Sequence, residues 1–391
     1  MEKDIRLMNE VIRIVNGALR LDTNKVRNYT SHLADKLDAA GEQSTADRLR
    51  KVLAETDSQL RPADVRFQKS LPVDADSRFP LLEHVAIKQL NEPPVHLDDS
   101  QWAVVNEFMS VAGSQSATDN DTLTGALSLL MYGAPGTGKS RLARHIAGEL
   151  GLELYVARLD GLISSFLGST SKNMRALFDF AAGTPCVLFL DEFDAIAKLR
   201  GDTQELGELK RVVNSFLQNL DTLGRESIIV AATNHEGLLD AAVWRRFTYR
   251  LSLQLPNTGQ RLCMWRDFLS PVAFPKAQMS ALVDLSEGLS GSDIQEISTR
   301  VKRRQTALDS PVSLHDLFPI LRNLGIGGQE SSSFISTLTQ VDDVVLVRAL
   351  RLRNPKLYSY ALLSKLLNVS KAKAHRLATQ EVKRLPEHKR V

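Results

Sequence analysis

The chain has 391 residues, 43% of them hydrophobic and 24% charged, with a formal net charge of +3. These are the proportions of a soluble globular protein, and the length predicts two or three domains. No apolar stretch approaches the roughly 20 residues needed to span a bilayer, so a membrane protein is not expected. The charged start, Met1-Glu2-Lys3-Asp4, lacks the order of a secretion signal. Cys186 lies in an apolar run and Cys263 in a helical pattern. Both read as buried small hydrophobes, which fits a reducing cytoplasm and excludes a cysteine-ligated metal site. Charge is uneven: residues 341–391 carry 12 Lys and Arg against 4 Asp and Glu, a basic module on a mildly acidic body.

In chain order, residues 1–56 predict a helical N-terminal domain. Ile5, Met8, Ile12, Val15 and Leu19 fall at helical spacing, as do Val26, Tyr29, Leu33 and Leu37. A third helix starts near Ser44 and ends near Leu53. Residues 57–95 lose periodicity and hold five prolines, from Pro62 to Pro94, predicting a linker or extended structure laid against the next domain. From 96 to 256, strands are predicted at 127–132, 154–158, 186–190 and 227–232. Helices are predicted at 100–112, 139–150, 171–183 and 206–220. This order implies an α/β fold with a parallel sheet and flanking helices. Residues 257–310 read as an all-helical lid and 311–391 as a helical basic C-terminal module.

The most informative stretch is Gly133-Ala134-Pro135-Gly136-Thr137-Gly138-Lys139-Ser140. It fits the phosphate-loop pattern and sits between a buried strand and a helix. Glycines admit backbone dihedrals closed to other residues and let amide N–H groups approach phosphate oxygens. The helix N-terminus adds its dipole. Lys139 would reach the β- and γ-phosphates of ATP, and Ser140 would hold Mg²⁺. About 50 residues on, Val187-Leu188-Phe189-Leu190 delivers Asp191 and Glu192 at the sheet's C-terminal edge. Asp191 would complete the Mg²⁺ shell and Glu192 would polarise the attacking water. Ile228–Ala232 delivers Thr233 and Asn234, whose amide can hold the water or sense the γ-phosphate.

Together these residues resemble the AAA family of ring-forming ATPases over roughly 96–307. Gly133–Ser140 matches Walker A, Leu188–Glu192 Walker B, and Ala231–Asn234 the sensor-1 strand. Leu238–Phe247 resembles the second region of homology, and Gly288–Ile294 is similar to the start of the lid helix. The resemblance implies the P-loop NTPase fold with a helical lid, a homo-oligomer, expected to be a hexamer, and a protein substrate. It implies nucleotide contacts at Arg141, Gly291 and Ser292, and arginine fingers at Arg245 and Arg246. Trp244 departs from the family's pattern, which usually has a small, apolar or basic residue there. Phe166-Leu167-Gly168 looks like the family's pore loop, which grips polypeptide; Gly201–Leu206 could be a second.

Near the C-terminus, two short helices joined by Asn368-Val369-Ser370 suggest a helix-turn-helix, the second bearing Lys371, Lys373, Arg376 and Lys383. The other reading, favoured on sequence, is a packing or docking element. Three functions compete: a protein-remodelling ATPase, in some cases serving a partner protease or a defence system; a DNA-acting ATPase of transposition or replication-loader type; and a non-hydrolysing scaffold. The pore loop favours the first, and Lys139, Glu192 and Arg245 speak against the third.

Overall fold

The computed structural model describes residues 8, 10–15, 23–55, 71–74, 78–87, 95–114, 126–159, 170–195, 215–223, 227–239, 241–308, 313–323 and 341–380. They fall into two units, one holding most of residues 1–253 and the other running from Gln254 onward together with His96–Asp98 and Pro135–Gly138.

The first unit begins with helices α1 (Thr23–Ala39) and α2 (Gln43–Glu55), which pack as a pair. Tyr29, Leu33, Ala34 and Ala46 are buried, as a period-3.6 stripe requires. The Asn28 amide donates to the Gly183 carbonyl at 2.6 Å, tying α1 to the α/β body. The expected stripe in the first helix faces the other way. Met8 and Val15 are exposed and Ile12 is half-buried, while Glu10 and Arg13 are buried. Polar contacts decide that orientation. The Lys36 ammonium donates to Glu10 at 2.9 Å, and the Arg13 guanidinium lies over the Tyr29 ring.

The sheet has six strands in the order β1-β3-β4-β5-β2-β6. β1 is Glu83–Val85, β2 Leu127–Tyr132, β3 Glu153–Arg158, β4 Cys186–Asp191, β5 Ile228–Thr233 and β6 Tyr249–Ser252. All neighbours run parallel except β1, which pairs antiparallel with β3. β2, β4 and β5 are buried almost end to end, as strands covered on both faces must be. The flanking helices are α3 (Asp99–Ser114), α4 (Lys139–Leu150) and α5 (Thr170–Ala182), with residues 215–222 also helical. The mixed α/β fold with a mostly parallel sheet is thus as the sequence predicts. β1 and β6 have no counterpart among the predicted strands, because three and four residues are too few to show a period.

Tyr132 pairs with Thr233 and Leu190 with Ala231, so the C-terminal ends of β2, β4 and β5 lie in one row. Such an edge, where strand order reverses, is where parallel α/β sheets bind ligands. Phe193 fixes the end of β4. It is fully buried, meets Phe216 and Phe247 edge-on at 5.3 and 5.5 Å, and its N–H donates to Ala232 O. A short helix, α6 (Ala241–Trp244), precedes β6.

The second unit is helical: α7 (Thr258–Leu269), α8 (Lys276–Leu285), α9 (Gly291–Leu308), α10 (Leu314–Asn323), α11 (Asp343–Arg353), α12 (Tyr360–Leu367) and α13 (Lys371–Thr379). Asn257 and Gln260 form a reciprocal capping box that starts α7. Trp265 is fully buried and donates to Ser286 Oγ at 2.9 Å. One core runs through Leu282, Ile294, Val301, Leu317, Leu346 and Leu363, so the sequence boundary near 310 falls inside continuous packing. Asp284 reinforces the join, accepting from Tyr358 Oη at 2.5 Å and Arg353 Nε at 2.8 Å. Cys186 is buried as expected, but Cys263 is exposed. It lies on the outer side of α7, whose inner side is taken by Arg261, Met264 and Trp265. Among the described residues no helix is long and apolar enough to cross a membrane.

Candidate nucleotide site

β2 ends at Tyr132 and the chain turns at once. Gly133 has φ +138, and a Cβ there would sit 2.1 Å from the Leu253 carbonyl oxygen, so only glycine fits. Beyond the turn, Lys139 opens α4 and its side chain folds back. Its ammonium donates to Gly133 O at 2.7 Å and Ala134 O at 2.9 Å. Lys139 is 7% exposed. Burial pushes its pKa down to about 8, against the opposing pull of Asp191, Asp194 and Glu236. The result is a buried cation held at the sheet edge by two neutral carbonyl acceptors.

Ser140, next on α4, donates from Oγ to Asp191 Oδ2 at 3.3 Å. A hydroxyl and a carboxylate this close form an all-oxygen donor set, which suits Mg²⁺. The Glu192 N–H donates to Asp191 Oδ1 at 2.9 Å, and Glu192 itself is exposed with φ +54. A non-glycine residue in the left-handed region costs on the order of 1 kcal/mol and persists where the surroundings fix it. Here Phe193, locked in the core, supplies the constraint.

Asn234 is exposed at the end of β5. Behind it, Thr233 Oγ1 donates to the buried Asp194 at 3.4 Å and accepts from the His235 N–H at 3.1 Å. Asp194 and Glu236 are residues that the sequence reading missed. Their signal was a second acid three residues after Asp191 and an acid just past a strand end, each too common to single out.

Arg245 and Arg246 follow α6 and differ. Arg245 is exposed. Arg246 makes a two-pronged pair with Asp221, Nε to Oδ1 at 3.1 Å and Nη2 to Oδ2 at 3.0 Å, which raises its pKa. Trp244 stands edge-on to Tyr132 at 5.1 Å and donates to Leu239 O at 3.2 Å. It is a packing residue at the end of β2.

Within the second unit, Gly136 and Ser290–Ser292 are neighbours. The Ser292 N–H donates to Gly136 O at 3.1 Å, and a Cβ on Gly136, at φ +76, would meet Ser290 Oγ at 2.5 Å. Ser290 and Asp293 cap the start of α9, Asp293 Oδ2 accepting from Ser290 N and Oγ. Pro135, Thr137, Gly138 and Arg141 keep their places in the loop and the first turn of α4. Phe166, Leu167, Gly168 and residues 201–206 lie outside the described residues.

Residues 129–255 match the family described as ATPase family associated with various cellular activities (AAA). The chain is 44% identical over 174 residues to an uncharacterized AAA family ATPase of Sinorhizobium fredii, covering 44% of this chain and 52% of that protein. It is 35% identical over 172 residues to a putative 26S proteasome regulatory subunit homolog of Methanocaldococcus jannaschii, covering 43% and 46%. It is 28% identical over 280 residues to the vacuolar protein sorting-associated protein 4 of Dictyostelium discoideum, covering 70% and 60%. The chain thus spans about half the length of the curated relatives it matches.

Proposed function

We propose that the chain, whose residues 129–255 match the AAA family, is an AAA family ATPase that hydrolyses ATP at the edge of the sheet and uses the energy to thread or remodel polypeptide in a homo-oligomeric ring. The observation that carries the reading is the buried Lys139 ammonium, bonded to two carbonyls of its own loop and set beside the Ser140–Asp191 pair.

In this mechanism Lys139 exchanges Gly133 O and Ala134 O for phosphate oxygens, and the loop N–H groups from Gly133 to Gly138 surround the rest. Ser140 and Asp191 would hold Mg²⁺, which when bound neutralises phosphate charge. Glu192, exposed and fixed in direction by its backbone, takes a proton from the attacking water, and Asn234 orients that water. Arg245 reaches a neighbouring subunit's nucleotide. Arg246, held by Asp221, braces the turn that presents it. Such a finger supplies about 10³–10⁵ in rate. Gly291 and Ser292 contact the adenine side.

Phe166, Leu167 and Gly168 would grip the substrate. A protein substrate is supported by relatives named a proteasome regulatory subunit homolog and an ATP-dependent zinc metalloprotease. The same names support a partner protease, and the match to the AAA family supports a hexamer. A cytoplasmic location completes the proposal.

Glu192→Gln tests the chemistry. It should bind ATP as the parent does while turnover falls by about 10²–10⁴. Unchanged turnover would show that the water is activated elsewhere.

A further inference from the structure

The exposed face of α13 bears no relation to the nucleotide chemistry. α12 has eight residues and α13 nine, joined by Asn368-Val369-Ser370. Asn368 takes the left-handed conformation, φ 52 and ψ 48, which turns the chain sharply after α12. Ser370 Oγ then accepts from the Lys373 N–H at 3.2 Å and caps α13. Leu363, Leu366, Ala374 and Leu377 are buried between the two helices and the core, and Leu367 and Val369 pack against it. α13 packs on both α11 and α12. The pair is therefore held in one arrangement, with the second helix presented outward.

The outward face consists of Lys371, Ala372, Lys373, His375, Arg376, Thr379 and Gln380, all exposed. Lys371, Lys373 and Arg376 have no acidic partner among the described residues. The sequence has no Asp or Glu from Val344 to Gln380, against eight Lys and Arg. The face also has no large apolar side chain. A protein interface needs an aromatic or aliphatic anchor at its centre, and this one has none. Nucleic-acid interfaces are polar, wet and positively charged.

We propose that α12 and α13 form a helix-turn-helix that docks on duplex DNA, with α13 in the major groove. Lys371 and Lys373, at the start of the helix where its dipole also favours phosphate, bind the backbone. Arg376 and Gln380 have the donors and acceptors that base edges accept. The tail's basic charge is then a binding surface and not a solvated packing face. This inference does not rest on the substrate-threading reading; the two succeed or fail in separate assays.

The test is fluorescence anisotropy of the full chain against a labelled mixed-sequence duplex of about three helical turns. Affinity should fall about 10-fold between roughly 50 and 200 mM salt, as two phosphate contacts require. The triple variant Lys371→Ala, Lys373→Ala, Arg376→Ala should weaken binding and lower the slope of log affinity against log salt by about two, the share of the two phosphate contacts. Ala372→Glu, a single exposed change, should weaken binding several-fold and guards against misfolding of the triple variant. Arg303→Ala, exposed on α9, should leave binding unchanged. Absence of duplex binding at low salt, equal binding by the triple variant, or equal loss on Arg303→Ala would overturn the proposal. Tighter binding to single-stranded RNA or to polyglutamate would overturn it too, pointing to another polyanion.

Discussion

Two buried titratable groups in the first unit, Lys139 at the sheet edge and His32 on α1, meet opposite fates. Both have pKa values lowered by burial, Lys139 to about 8 and His32 to about 4. Lys139 has two carbonyl acceptors within hydrogen-bond distance and three carboxylates pulling its pKa back up. It keeps its proton at neutral pH. His32 has Glu10 at 3.9 Å, opposed by Lys36 and Arg13, and its Nε2 makes no hydrogen bond. It is neutral. Burial alone does not mark a functional cation; what surrounds the group decides whether it stays charged and waits for a ligand.

The largest consequence falls on His32. Its folded pKa, about 4, lies below the ordinary 6.5, so the unfolded chain binds more protons between those values. Stability is full above about pH 6.5 and falls as the pH drops toward 4, by about 3 kcal/mol in all. Thermal melts between pH 7 and 4 should show the loss, and His32→Gln should remove most of the slope. An equal slope in that variant would place the acid sensitivity elsewhere and break the contrast.

Lys139 gives a smaller effect of distinct kind. In the proposed mechanism its proton is the charge that meets phosphate, so ATP affinity should be steady near pH 7 and fall about tenfold by pH 9. Isothermal titration across that range reads it directly. A flat profile would mean that the neighbouring carboxylates hold Lys139 fully charged, which would sharpen the difference from His32.

These particulars also show what the sequence could reveal. The strand, turn and helix around Gly133–Ser140 were legible because a glycine-rich run follows an apolar strand, and the structure supplies the reason for the first glycine, φ +138 and a 2.1 Å approach to the Leu253 carbonyl. The place of Asp191 and Glu192 at a strand end was legible because an apolar run precedes them. Asp194 and Glu236 were hidden, since their importance lies in facing Lys139 across the fold. β1 and β6 were too short to show a period. Glu10 and Arg13 were misplaced because periodicity assumes that apolar residues face inward. There the cost of turning Met8 and Val15 outward is offset by Lys36 and the Tyr29 ring. The lack of anchors on α13 became visible only once its buried face was known.

In the proposed mechanism Lys139 binds nucleotide within one chain while Arg245, exposed and with no side-chain hydrogen bond or ion pair among the described residues, completes the site of a neighbour. Mixing Lys139→Ala with Arg245→Ala tests it most directly. Each variant alone should hydrolyse ATP at least about 10³-fold more slowly than the parent. In a mixture, some interfaces pair an intact Lys139 with an intact Arg245, and the account predicts that activity returns there. Mixed oligomers confirmed by mass yet still inactive would contradict it.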